Sequence, residues 1–148
     1  MSTHLVTTTW VNKLAFDSEV NNHIVRIDGK PPVGDDTGPG PKALLLTALT
    51  GCTGMDVAAL LPKMRVVFDS LVIEAEAEQT EEHPKVYKFI KLTFHVSGKD
   101  LDEDKVRKAI ELSQEKYCGV TAMLRAHCPI TWELVINGRN ENLPKSNG

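Results

Sequence analysis

Hydrophobic and polar positions alternate along several stretches of this chain and cluster at helical spacing along others. Leu5–Phe16, rich in Thr, Val and aromatic residues, reads as a strand. Asp17–Asn22 gathers Asp, Ser and two Asn and reads as a turn. His23–Asp28 reads as the returning strand, so an N-terminal hairpin is predicted. Gly29–Pro41 (GKPPVGDDTGPGP) is broken by Gly and Pro throughout, which excludes helix and central strand. Such a loop is either a connector or part of a site.

Lys42–Met64 is the longest helical candidate. Leu44, Leu45, Leu46, Leu49, Val57, Leu60 and Leu61 leave few polar positions. A helix apolar nearly all round is expected to be buried, here as the spine of the core. Gly51 and Gly54 each cost about 1 kcal/mol of helix propensity, a cost compatible with close approach of another backbone or a ligand. Pro62 ends or bends the helix. Leu71–Gln79 then alternates, with Leu71, Ile73, Ala75 and Ala77 on one side and three glutamates on the other. Val86–Val96 alternates again, placing Lys88, Ile90, Leu92, Phe94 and Val96 on one side. These two predict a second hairpin.

Asp100–Tyr117 reads as an amphipathic helix, with Asp100 and Glu103 at capping-box spacing and Val106, Ala109, Ile110 and Ser113 on the inner face. Val120–Ala126 predicts a further short helix, and Ile130–Ile136 a closing strand. The tail from about residue 138 to 148 is polar and expected to be disordered. Strand pairs mixed with helices indicate an α+β class with antiparallel pairing.

A length of 148 residues fits a single domain spanning 1–148. The 41% hydrophobic and 25% charged shares are ordinary for a soluble protein. A net charge of −3 without a basic stripe argues against a nucleic-acid surface. No run of 18 apolar residues and no leader-like N-terminus is visible, so no membrane span and a cytoplasmic location are expected. Three cysteines, Cys52, Cys118 and Cys128, do not make a disulfide framework.

Cys52 lies between glycines in the apolar helix, and Cys118 lies at a helix break, close to the N-terminus of the last short helix, where a thiolate is favoured. Each of the two also has a plain reading as a small buried hydrophobe. Asp56, one turn after Cys52, shares its helix face and disfavours a thiolate there. Cys128 beside His127 lacks the paired spacing of a metal site. His83 sits in a connector. Gly34–Gly40 lacks the Lys-Ser/Thr that a phosphate loop requires. Trp10 and Trp132 read as core or interface residues.

Gly38–Leu46, running into Leu49-Thr50-Gly51-Cys52-Thr53, resembles the first signature of the osmotically inducible protein C and organic hydroperoxide resistance family (OsmC/Ohr). Leu61–Arg65 resembles the end of the same helix. Glu81–Lys85, and Glu115-Lys116-Tyr117-Cys118 followed by Ala122-Met123-Leu124, resemble its later signatures. The short Lys-Tyr-Cys version resembles the less-characterised OsmC-like branch. The resemblance implies antiparallel sheets packed on a long central helix in an intertwined homodimer. It also implies a thiol-dependent peroxidase of the oxidative stress response, with no metal and no organic cofactor. Cys52 would be the peroxidatic cysteine and Cys118 the resolving one, and a dithiol reductant would reset the pair.

The family's active enzymes place a glutamate early in the central helix, holding an arginine beside the thiolate. Here that region reads Pro41-Lys42-Ala43-Leu44, with no acid. The candidate arginine is Arg26, just before the glycine-rich loop, with Arg65 and Arg125 as alternatives. Two functions therefore compete: reduction of organic hydroperoxides by Cys52 and Cys118, or a stress-related binding protein of the same fold without efficient peroxidase activity.

Overall fold

In the computed structural model, which describes residues 2–140, the chain divides into two units, Met1–Thr47 and Ala48–Gly148. The first is built on a three-stranded antiparallel meander, β1 (Thr7–Asn12), β2 (Ala15–Val20) and β3 (His23–Ile27). It replaces the hairpin that the sequence predicts. The turn that reading passed over has no Gly or Pro. It is made by Lys13, in the left-handed region at φ 44°, and the Trp10 indole closes it by donating to the Lys13 carbonyl at 3.0 Å. Of the residues read as a turn, Asn21 and Asn22, at φ 50° and 65°, do turn the chain into β3, while Asp17–Val20 belong to β2. Cross-strand partners outweigh their low strand propensity: Asp17 lies opposite Arg26 and Ser18 opposite Thr8, with Thr8 and Ser18 hydroxyls 3.0 Å apart.

The glycine-rich loop that follows is pinned by the buried Asp28. One carboxylate oxygen accepts the Gly29 N–H at 2.7 Å. The other accepts the Thr37 N–H at 3.1 Å and the Thr37 hydroxyl at 2.6 Å. Gly34 is required by a close backbone approach, since a Cβ there would lie 2.1 Å from the Gly29 carbonyl oxygen.

The long helix α1 (Pro41–Lys63) opens on proline, whose fixed φ suits the first helical position. It closes with Arg65 at φ 61° and the Val66 N–H bonded to the Leu61 carbonyl at 2.9 Å. Its length and composition alone are enough for a membrane span. Burial is narrower than its all-round apolar character predicts. Only the stripe Leu49, Thr53, Val57 and Leu61 is buried, whereas Leu45 is 47% and Met55 76% exposed.

The second unit carries a four-stranded sheet ordered β4 (Ser70–Gln79), β5 (Tyr87–Ser97), β6 (Ile130–Ile136) and β7 (Arg139–Asn140). β4 and β5 form the predicted hairpin, with the predicted faces. β6, however, pairs parallel to β5, so the pairing is not antiparallel throughout. A parallel neighbour requires a crossover, and α2 (Glu103–Leu112), a π-helical turn (Ser113–Tyr117) and α3 (Gly119–Arg125) supply it. The N-cap of α2 is Asp102, which accepts the Lys105 N–H at 3.2 Å, rather than Asp100, which sits at φ 55°. Buried side chains come from α1, from Ile90, Leu92, Phe94 and Val96 of β5, from Val106, Ala109 and Ile110 of α2, and from β6. Phe94 alone, fully buried, contributes about 2–3 kcal/mol. Trp132 meets the Phe94 ring edge-on at 6.1 Å, and the Arg107 guanidinium lies over it at 5.6 Å. The expected disordered tail begins with β7, because Asn137 and Gly138 take positive φ and turn the chain back onto β6. Its remainder, 141–148, lies outside the described residues.

Candidate functional site

Cys52 and Asp56 lie four residues apart on α1, hence on one helix face. Cys118 comes from the crossover. The Cys52 and Cys118 Sγ atoms and an Asp56 carboxylate oxygen all lie within 4.8 Å of one another. Cys52 is half-buried and Cys118 is buried, 4% exposed.

The π-helical turn explains how Cys118 arrives there. Its N–H bonds to the Ser113 carbonyl, five residues back, at 2.8 Å. An α-helix turns about 100° per residue, which separates consecutive side chains. The wider turn lets Ser113 and Gln114 both point inward, at 0% and 2% exposure. They complete a chain of hydrogen bonds with one direction. The Gln114 amide donates to the Thr53 hydroxyl at 2.9 Å. Thr53 Oγ1 and Ser113 Oγ are 2.7 Å apart, and Ser113 donates to Asp56 Oδ2 at 2.9 Å. Since the Ser113 proton is committed to the carboxylate, Thr53 donates to Ser113. Thr121 adds a longer bond to the Gln114 carbonyl oxygen at 3.4 Å.

Cys118 caps α3, its sulfur accepting the Thr121 N–H at 3.3 Å. The sequence suggests that such a position favours the thiolate. Here the net effect is opposite. Burial pushes the Cys118 thiol up, the Thr121 bond offsets this only in part, and the neighbouring Cys52 pushes it up further. Desolvation of the charged form outweighs one bond from a short helix.

Arg26 belongs to the N-terminal unit. Its guanidinium pairs with Asp17 through two nitrogens and reaches the Thr37 hydroxyl at 3.3 Å. Asp17 raises the Arg26 pKa, and Arg26 in turn holds Asp17 below the usual carboxylate range. An acid thus holds this arginine, and it comes from β2 rather than from the start of α1. Arg65 lies beyond Lys63, roughly 16 Å along the helix from Cys52, too far to touch the thiol within the chain. Arg125 pairs loosely with Glu115 at 3.7 Å.

The remaining candidates separate from the thiols. Cys128 is buried and its thiol is pushed up by burial, while the His127 ring meets the Tyr87 carbonyl at 2.9 Å. His83 lines a surface hollow of the β4–β5 connector with Thr80, Glu82 and Lys88. A groove of about 400 Å³ runs past Thr50, Gly51, Gly54, Met55, Ala58, Leu71 and Ile73. At about 100° per residue, most of these positions lie on the flank of α1 away from Cys52 and Asp56. Gly54 serves this packing, since a Cβ there would lie 3.0 Å from Ile73 Cδ1, but Gly51 faces open space. On the solvent side of Cys52, its helical neighbours Ala48 and Met55 are exposed and apolar.

Thr53, Ser113, Gln114 and Thr121 form the hydrogen-bond network at the two thiols, and sequence reasoning did not assign them there. Ser113 is readable as inward-facing, but Gln114 is not, because its inward turn depends on the π-helical geometry.

Comparison with known proteins agrees with this architecture. The OsmC-like protein family model matches residues 34–133. Protein YhfA of Escherichia coli strain K12 is 36% identical over 123 residues, covering 82% of this chain and 90% of that protein. A hypothetical protein from Aquifex aeolicus VF5 superposes with a TM-score of 0.79 at 29% identity, over 93% of this chain and 99% of that one. The organic hydroperoxide resistance protein OhrB of Bacillus subtilis shares the fold at 20% identity, with a TM-score of 0.61 over 90% of this chain and 98% of its own. An α+β fold with two sheets and three helices, a family model spanning most of the sequence and a relative above one-third identity together establish that the chain belongs to the OsmC-like family.

Proposed function

We propose that this protein is a thiol-dependent peroxidase that reduces organic hydroperoxides. The observation that carries the reading is the approach of Cys52 and Cys118 sulfurs to within 4.8 Å from two separate elements. The half-exposed Cys52 attacks the terminal peroxide oxygen. The O–O bond breaks, the alkoxide leaves as an alcohol after taking a proton, and Cys52 becomes a sulfenic acid. Cys118, buried and with its sulfur within 4.8 Å of that of Cys52, is placed for the second step. Its sulfur displaces water from the sulfenic acid and forms a disulfide. A dithiol reductant then exchanges with that disulfide and leaves oxidised itself. Exposed Ala48 and Met55 offer the organic group an apolar bed beside Cys52. Arg26 is the proposed activating cation, and a homodimer the proposed assembly.

The experiment is a thiol count on reduced protein after cumene hydroperoxide or hydrogen peroxide, followed by peptide mapping. Loss of two thiols per chain with a Cys52–Cys118 link within one chain is expected, faster with cumene hydroperoxide. A link involving Cys128, or no thiol loss, overturns the reading. A second reading, a binding protein of the same fold without efficient peroxidase activity, is favoured by the lack of an acidic residue in the first turn of α1, where the family's active enzymes carry a glutamate. It predicts slow thiol loss with both peroxides.

A further inference from the structure

We propose that Cys52, Asp56 and Cys118 bind zinc, and that zinc binding and disulfide formation by the two cysteines exclude one another. The first part stands on geometry alone; the second rests on the dithiol reading above.

Two thiols and a carboxylate face one another within 4.8 Å, an arrangement that is costly unless protons or a cation separate the charges. Asp56 accepts a hydrogen bond from the neutral Ser113 hydroxyl, at 2.9 Å. Cys118 meets the Thr121 N–H and Cys52. Two sulfurs and one carboxylate oxygen form a donor set suited to zinc, which takes Cys at about 2.3 Å and carboxylate at about 2.0–2.2 Å in a tetrahedron. Such a centre sets its ligand atoms roughly 3.5–3.8 Å apart, so side-chain movements of about 1 Å close the site.

The surroundings fit a metal as well. Carboxylates that bind metals are commonly oriented by a hydrogen bond to the oxygen that does not coordinate. Ser113 supplies that bond to Asp56 Oδ2, and Thr53 and Gln114 hold Ser113 in turn. Cys52 is half-exposed, which leaves a fourth position for water. Binding displaces the two thiol protons to solvent. A Cys52–Cys118 disulfide removes both sulfur ligands, so oxidation expels the ion, and bound zinc withholds both thiols from an oxidant.

Reduced full-length protein is titrated anaerobically with zinc sulfate against a chromogenic chelator. Cobalt(II) reports sulfur ligation through its thiolate charge-transfer absorption. One zinc per chain is expected, with the cobalt band present. Cys52→Ser and Cys118→Ser each lose binding by at least tenfold, as does Asp56→Asn, while Cys128→Ser binds as wild type. Circular dichroism confirms that each variant is folded. Diamide, an azo oxidant that takes two thiols to a disulfide and is itself reduced to the hydrazine, should abolish binding, and reduction should restore it. No saturable zinc binding by the reduced wild type, or full binding by Cys52→Ser, overturns the site. Zinc retained after the disulfide has formed overturns mutual exclusion. Diamide acts without a peroxide, so zinc binding in a protein inert to hydroperoxide sinks the peroxidase reading alone.

Discussion

Asp56 sets the tone of the site at the scale of single residues. Its carboxyl group lies within 4.8 Å of both sulfurs, and a negative charge that close repels a developing thiolate. Asp56→Asn should therefore speed alkylation of Cys52 at neutral pH, read by iodoacetamide labelling and mass spectrometry. An unchanged rate would show that the carboxylate is not felt by the thiol. Cys118→Ser should trap a sulfenic acid on Cys52, detectable with dimedone, and Cys128→Ser should behave as wild type. Arg26→Ala should slow alkylation of Cys52, while Arg125→Ala leaves the rate unchanged. The reverse pattern identifies Arg125 as the cation. The pairing of Cys52 with Asp56 was legible in the sequence because positions four apart share a helix face. The inward turn of both Ser113 and Gln114 was not, because α-helical spacing puts consecutive residues on different faces. The raised Cys118 thiol was also hidden, since burial is a tertiary property that a helix-end position does not reveal.

Elements show where local chemistry is worth measurable stability. Asp102 caps α2, and Asp102→Ala should cost about 1 kcal/mol in denaturant unfolding. Leu49, fully buried on α1, should cost about 2–5 kcal/mol when truncated to alanine. The loop after β3 supplies a pH dependence. Hydrogen bonds from the Thr37 hydroxyl, and then from the Thr37 and Gly29 N–H groups, hold Asp28 below the usual carboxylate range. A depressed carboxylate stabilises above its unfolded pKa, and that contribution is lost as pH falls through the folded value. Thermal unfolding of wild type should weaken with acid below about pH 5, and Asp28→Asn should flatten that slope. An identical slope in the variant would remove Asp28 from the account. Alternation fixed the faces of β4 and β5 in the sequence, whereas β6 buries Val135 as well as its neighbours Leu134 and Ile136; alternation is also the same for either neighbour direction. The parallel pairing of β6 was therefore invisible. So was the Lys13 turn, which uses a left-handed lysine where Gly or Asn is customary.

At the scale of the whole molecule, exposed apolar surface is the main consequence of the fold. Leu45, Met55, Trp10 and Ile24 are 47%, 76%, 61% and 63% exposed, and α1 buries only one stripe. Covering such surface favours association. Sedimentation at micromolar concentration should give a stable homodimer, and a folded monomer there would contradict it. The crossover between β5 and β6 has another consequence, one of timing. Hairpin partners such as β4 and β5 meet early, whereas parallel strands joined by a long crossover pay loop closure before contact rewards it. Cys118 travels within that crossover, so the two thiols are strangers until it docks. In refolding from denaturant, diamide capture of the Cys52–Cys118 bond should trail the return of helical signal and keep pace with the fluorescence of Trp132 in a Trp10→Phe background. The cysteine pair then serves as a clock for the last stage of folding, and a newly made chain brings its two thiols together only when β6 has taken its place.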